Sequence, residues 1–264
     1  MATYLDRILA AHRASAAADG RDVQELAAQA ARCGPARGFE AVLRNAPAIA
    51  VIAEIKRASP VKGDLAPGLD AAATAMAYER AGAVALSVLT DEEFFAGSGE
   101  DLAAARRATA LPVLRKDFTV CEADVLDARC MGADAVLLIA AALSPGELAG
   151  LLRLSRSVGL DALVEVHDEQ ESWRALEAGA TLVGVNQRDL RSFEVDTGRA
   201  ERVGRALPAG VVRVAESGVR SAADVRRLAG AGFDAVLVGE TLVTSPDPAA
   251  ALRGLLAAAA PASR

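Results

Sequence analysis

Met131-Gly132-Ala133-Asp134-Ala135-Val136-Leu137-Leu138-Ile139 joins the end of a helix-like stretch to an apolar run without polar alternation. A glycine just past a helix end takes the left-handed conformation that closes the last turn. An unalternating run of Val, Leu and Ile is what a parallel strand buried on both faces requires. The same join recurs at Ala81-Gly82-Ala83, Ala178-Gly179-Ala180 and Ala231-Gly232-Phe233. Each lies between a helix-like stretch and a strand-like one, at every second unit of the chain.

Eight short apolar runs punctuate the sequence: Ala50–Ile55, Val84–Leu89, Pro112–Leu114, Ala135–Ile139, Ala162–Val166, Leu182–Val185, Val211–Ala215 and Ala235–Val238. Helix-like stretches separate them, among them Asp70–Ala81, Glu100–Ala108, Pro145–Ser157, Glu169–Ala178 and Ser221–Ala229. Strands alternating with helices imply right-handed βαβ units and a parallel sheet. Eight units, a repeat at every second one and no dinucleotide fingerprint favour a closed (β/α)8 TIM barrel over an open doubly wound sheet. The expected organisation is one barrel domain over residues 1–264. Residues 1–49 form a helical extension packed on it, with helices around Tyr4–Ala18 and Asp22–Arg32; Gly34-Pro35 and Asn45-Ala46-Pro47 supply the breaks.

The 264 residues are 52% hydrophobic and carry a net charge of −6, which argues against a nucleic-acid partner. The richest apolar run, Ala135 to Leu143, is too short for a membrane span, and the first thirteen residues lack an apolar signal core. Three cysteines, Cys33, Cys121 and Cys130, read as small apolar filler. With two histidines and no metal-type spacing they imply neither a disulfide scaffold nor a metal site. The expected compartment is the cytoplasm.

A barrel places its chemistry where strands end and βα loops begin. Here the strand ends read Glu54-Ile55-Lys56, Arg115-Lys116-Asp117, Glu165-Val166-His167, Asn186-Gln187-Arg188, Glu216-Ser217-Gly218 and Gly239-Glu240. Period-two alternation puts Glu54 and Lys56 on one side. So many charges converging on one mouth are costly without a function. The basic residues sharpen this: 26 are arginine and three are lysine, namely Lys56, Lys62 and Lys116, all at strand ends one and three or in the loop after strand one. Lysine serves where a proton must leave, because burial lowers its pKa while arginine stays charged. Glycines at the ends of strands seven and eight let backbone N–H groups approach an anion, and a short helix beginning near Glu240 would point at the same place. The Glu240 side chain would repel an anion, so only backbone contact is expected there. His167 reads as structural, beside Asp168 as a helix N-cap.

The motifs also carry a resemblance. Ile52-Ala53-Glu54-Ile55-Lys56-Arg57-Ala58-Ser59-Pro60 resembles the first-strand signature of the indole-3-glycerol-phosphate synthases. So do, in order, Leu86–Thr90 with Phe94–Ser98, Leu114–Phe118, Leu163–His167, Gly184–Leu190 and Ala215–Val219. The family usually has a small polar or basic residue at Val61 and a second Asn at Gln187. The resemblance implies ring closure, decarboxylation and dehydration of 1-(o-carboxyphenylamino)-1-deoxyribulose 5-phosphate, a small phosphorylated substrate, with no metal or organic cofactor. It implies Lys116 as general acid and Lys56 on the substrate carboxylate or in dehydration. Glu54 would be a base or the holder of Lys56, Glu165 would assist hydroxyl departure, Asn186 would orient hydroxyls, and Glu216 joins the catalytic set. Ser59, Arg188, Ser217, Gly218 and Gly239 would hold phosphate or sugar oxygens, and Phe95, Phe118, Leu137 and Leu190 would wall the anthranilate ring. The alternatives are another phosphate-binding barrel, such as phosphoribosylanthranilate isomerase, or a barrel that binds phosphorylated metabolites without turnover. Association with other tryptophan-pathway enzymes is not legible in the sequence. The Ala58–Gly68 segment, with its Gly63, Pro67 and Gly68, is expected to close over the substrate.

Overall fold

In the computed structural model, which describes residues 3–257, eight parallel strands close on themselves. They are β1 (Ala50–Ile55), β2 (Ala85–Leu89), β3 (Val113–Lys116), β4 (Ala135–Ile139), β5 (Asp161–Val166), β6 (Leu182–Asn186), β7 (Val212–Glu216) and β8 (Ala235–Val238). Each pairs with its sequence neighbours, and β8 returns to β1 with Ala50 opposite Ala235. The barrel with helices around it is the expected (β/α)8 architecture; residues 1–2 and 258–264 of the expected 1–264 domain lie outside the described residues.

Strand boundaries differ from the apolar runs at the ends that matter. β3 starts after Pro112 and runs on to Lys116, while β6 and β7 extend to Asn186 and Glu216. Hydrophobicity stops at the last apolar residue, but the ladder does not: Leu89 still faces Lys116, and Asn186 faces Glu216. Polar side chains finish these strands because the barrel mouth supplies partners for them. The four repeated glycines, Gly82, Gly132, Gly179 and Gly232, all have positive φ, between +84° and +102°, as a helix C-terminal stop requires.

The helices are α1 (Tyr4–Ala18), α2 (Val23–Ala30), α3 (Phe39–Arg44), α4 (Ala71–Ala81), α5 (Glu92–Phe95), α6 (Gly99–Ala108), α7 (Glu122–Met131), α8 (Pro145–Ser157), α9 (Glu169–Glu177), α10 (Arg199–Gly204), α11 (Ala222–Gly230), α12 (Glu240–Val243) and α13 (Pro248–Leu256). The extension reaches both ends of the barrel. α2, starting after the Asp22 cap, packs Leu26 and Ala30 on Ala123 and Leu126 of α7. α3, which no apolar period announced, buries Phe39 and Leu43 completely at the end where strands begin. Its position is fixed by backbone N–H groups of Arg37 and Glu40 donating to Asp134 and Asp161, each at 2.8 Å. Cys130 is exposed, so it does not serve as interior filler. Among the described residues no helix is long and apolar enough to cross a membrane.

α1 crosses the opposite end. Arg13 donates to the Ala142 carbonyl at 2.9 Å, and the Tyr4 ring meets Phe193 edge-on at 5.0 Å. His12 Nε2 lies 2.8 Å from Asp91 and 3.9 Å from Asp117. Burial opposes protonation of His12, but its bond to Asp91 and the nearby Asp117 carboxylate outweigh this and hold its pKa above 6.5. A raised folded pKa stabilises the fold below pH 6.5, and that contribution is lost as pH rises through the folded value. His12→Gln is therefore expected to lower Tm more at pH 6 than at pH 8.5; an equal loss at both would contradict a charged clasp. Comparing the variant with the parent also cancels His167, which shifts in the same direction.

Candidate active site

Every strand contributes to one pocket, through Glu54, Leu89, Lys116, Leu137 with Ile139, Glu165, Asn186, Glu216 and Leu237. Lys56, Ser59, Phe95, Phe118, Arg188, Leu190, Ser217, Gly218 and Gly239 complete its wall, so all of the expected site residues meet there. Pro60, Val61, Lys62, Phe193, Val195, Arg220, Glu240 and Thr241 line it too. These come from the loops and the first turn of α12, where no alternation or apolar period marks which side chain turns inward.

Lys116 sits between two carboxylates. Its Nζ is 2.9 Å from Glu165 Oε2 and 3.4 Å from Glu216 Oε2, and both glutamates are almost wholly buried. Burial alone would depress the lysine, which is the shift expected from the sequence. Desolvation does act that way, but Glu165, Glu216 and Glu54 together outweigh it and hold Lys116 well above the usual lysine range. Three carboxylates close to one ammonium reverse the sign that burial alone would give. Glu165 is opposed by burial but held below the usual carboxylate range by Lys116 and His167. Glu216 goes the other way: burial, together with repulsion from Glu165, pushes it up to about 8 despite Lys116. Two carboxylates facing one ammonium thus retain a proton between them near neutral pH. Glu165 Oε1 and Glu216 Oε1 are buried without a hydrogen-bond partner among the described residues. Such atoms are costly to leave unpaired, and both belong to the pocket lining.

Lys56 pairs with Glu54 at 2.8 Å, as alternation along β1 implied. His167 bridges rather than merely packs. Its Nδ1 is 3.0 Å from Glu171 and its Nε2 is 3.6 Å from Glu165, while Asp168 caps α9 as expected. Two glycines make room for the carboxylates. A Cβ on Gly184 of β6 would collide with Glu216 Oε1, and one on Gly239 would collide with Glu54 Oε1. At the end of β7, Ser217 (φ +63°) and Gly218 (φ +74°) turn the backbone sharply. A serine held in the left-handed region costs on the order of 1 kcal/mol, and the Ser217 carbonyl is held by Gln187 Nε2 at 2.7 Å.

One flank is aromatic: the Phe95 and Phe118 rings lie 6.3 Å apart, and His12 of α1 backs Phe118 at 5.5 Å. The other flank is cationic. Arg188 approaches Glu240 Oε2 at 3.5 Å, and Lys62 bonds to Glu240 Oε1. The Glu240 side chain therefore does face the site, contrary to the expectation of backbone contact alone. It is tolerated there because two cations neutralise it. The segment after β1 folds as a small antiparallel hairpin, Ala58–Ser59 against Gly63–Asp64, with Lys62 in its turn. An apolar slot, an acid–base centre and a cationic end suit an aromatic phosphoester with a reactive centre between its two ends.

Solved structures of low identity share the fold. A 3-hexulose-6-phosphate synthase superposes with a TM-score of 0.61 at 17% identity, over 80% of this chain and 100% of that one. A thiamine phosphate pyrophosphorylase from Pyrococcus furiosus gives 0.59 at 16%, over 80% and 95%. Closer relatives are enzymes named for one activity. The indole-3-glycerol phosphate synthase of Mycolicibacterium gilvum is 51% identical over 259 residues, covering 97% of this chain and 95% of its own length. Indole-3-glycerol phosphate synthase 2 of Streptomyces coelicolor is 52% identical over 236 residues, covering 89% and 91%. The family model described as indole-3-glycerol phosphate synthase matches residues 5–255. With the match running from α1 to α13, this chain belongs to the indole-3-glycerol phosphate synthase family.

Proposed function

We propose that Lys116, flanked by Glu165 and Glu216, is the proton donor for conversion of 1-(o-carboxyphenylamino)-1-deoxyribulose 5-phosphate into indole-3-glycerol phosphate. The observation that carries this reading is the 2.9 Å and 3.4 Å placement of one ammonium between two buried carboxylates. The anilino ring carbon attacks the ribulose carbonyl, and the developing alkoxide takes a proton from Lys116. Carbon dioxide then leaves, and its bonding electrons return to the ring system. Departure of the hydroxyl as water, assisted by Glu165, and loss of a proton give the indole.

Around this centre, Lys56, held by Glu54, pairs with the carboxylate that is lost, and Asn186 orients the ribulose hydroxyls. Phe95, Phe118, Leu137 and Leu190 enclose the ring. Ser59, Arg188, Ser217, Gly218 and Gly239 take the phosphate and sugar oxygens. Glu216, holding a proton near neutrality, returns one to Lys116 after the first step. The chain works as one barrel domain with residues 1–49 as its extension. Its net charge of −6 and a single pocket built from every strand support an enzyme acting on a small phosphoester, not on nucleic acid, and a biosynthetic activity of this kind suits the cytoplasm.

The pH profile tests the assignment. If protonated Glu216 is required, kcat/KM falls as pH rises through about 8, the value to which burial and Glu165 push that carboxyl. Glu216→Gln, which cannot ionise, is expected to lose this limb. Persistence of the limb in that variant would remove Glu216 from the proton path.

A further inference from the structure

The cationic end of the pocket already holds an anion. Glu240, one residue past Gly239 at the start of α12, places Oε1 on Lys62 Nζ and Oε2 3.5 Å from Arg188 Nη2. Lys56 adds a further attraction, and these cations hold Glu240 below the usual carboxylate range although burial opposes it. Arg188 is oriented independently: its side chain donates to the Phe193 carbonyl at 3.3 Å, and its backbone N–H donates to Asn186 Oδ1 at 3.0 Å. Lys62 has its backbone N–H on Ser59 Oγ at 3.2 Å, in the turn of the 58–64 hairpin. A carboxylate centred on converging cations occupies the place a phosphate dianion needs. Both oxygens cannot keep these partners when a second anion arrives, because like charges at contact distance repel.

We propose that Glu240 is a resident anion of the phosphate seat: it holds Lys62 and Arg188 in the free enzyme, and the phosphoester displaces it. The inference rests on the reading, above, that this end of the pocket takes the phosphate. Before substrate arrives, the carboxylate keeps the two cations from repelling one another and ties the hairpin turn to the barrel rim. When the phosphoester enters, Lys62 passes from carboxylate to phosphate, so the hairpin stays down over the ligand. The device costs affinity, since every incoming phosphate competes with the internal carboxylate.

Calorimetric titration of the full chain with inorganic phosphate, paired with trypsin cleavage at the Lys62–Gly63 bond read by mass spectrometry, tests this. Glu240→Gln is expected to bind phosphate roughly two- to five-fold more tightly, the scale of a partly exposed ion pair. The variant is also expected to be cut faster after Lys62 in the absence of phosphate. Asp64→Asn removes the same charge from the hairpin without touching these cations, and its phosphate Kd is expected to stay within about two-fold of the parent. Equal tightening by Asp64→Asn would reduce the effect to general charge and overturn the proposal. So would a Glu240→Gln protein that binds phosphate no better and is cut no faster. Arg188→Ala separates the two readings. If it weakens phosphate binding while Glu240→Gln changes nothing, the seat stands and the resident anion falls. If Arg188→Ala binds phosphate like the parent, the seat itself is misplaced and the proposal falls with it.

Discussion

Lys116→Ala is expected to lower kcat at least ~10²-fold, the scale on which a positioned general acid contributes. Substrate affinity should change far less, because the aromatic slot and the cationic end are untouched. The same substitution leaves Glu165 and Glu216 facing each other without the ammonium between them. Breaking a buried ion pair by removing one partner costs about 3–5 kcal/mol. The loss should be greatest at alkaline pH and shrink as the pH falls and the carboxylates take up protons. Turnover must therefore be normalised to folded protein, with urea denaturation at two pH values giving the stability term. Near-normal kcat in the folded fraction would remove Lys116 from the chemistry.

Glu165→Gln is expected to cost ~10²- to 10⁴-fold in kcat, again the range of a lost general acid or base. The amide keeps the volume and can still accept a hydrogen bond from Lys116, so packing is nearly conserved. What it cannot do is take up a proton, as the ionised carboxylate can, and pass it to the departing hydroxyl. The substitution also frees His167, whose Nε2 lies 3.6 Å from Glu165. A stopped-flow trace in which carbon dioxide release survives while indole appearance is lost would place Glu165 at dehydration, as proposed. Equal loss of both would move it to the ring-closing step.

Much of this was legible in the sequence because it follows from rules of one residue type at one place. The glycine stops before β2, β4, β6 and β8 and the unalternating apolar runs define closed βα units. Charged and polar residues that finish such runs mark the mouth, which is how Glu54, Lys56, Lys116, Glu165, Asn186 and Glu216 could be named. Roles that depend on three-dimensional company were not legible. The sign of the Lys116 shift depends on three glutamates from β1, β5 and β7, and no local pattern shows them converging. Gly184 reads as one more strand residue, yet it is the gap that admits the Glu216 carboxylate. His12 lies 79 residues from Asp91, so nothing in α1 announces that it backs the aromatic flank. α3 is too short to show an apolar period. The Glu240 expectation failed for a related reason, since the cations that neutralise it stand on loops after β1 and β6.

Lys116 is proposed to act by giving up a proton, not by its charge. Lys116→Arg separates the two, because a guanidinium keeps the charge but does not release its proton at accessible pH. The direct measurement is indole-product fluorescence in a single turnover of this variant with 1-(o-carboxyphenylamino)-1-deoxyribulose 5-phosphate, alongside calorimetric substrate binding. Binding within a few-fold of the parent, with product formation slowed at least ~10²-fold, is the predicted result. Product appearing at close to the parental rate would show that a fixed positive charge suffices, and would remove Lys116 as the proton donor.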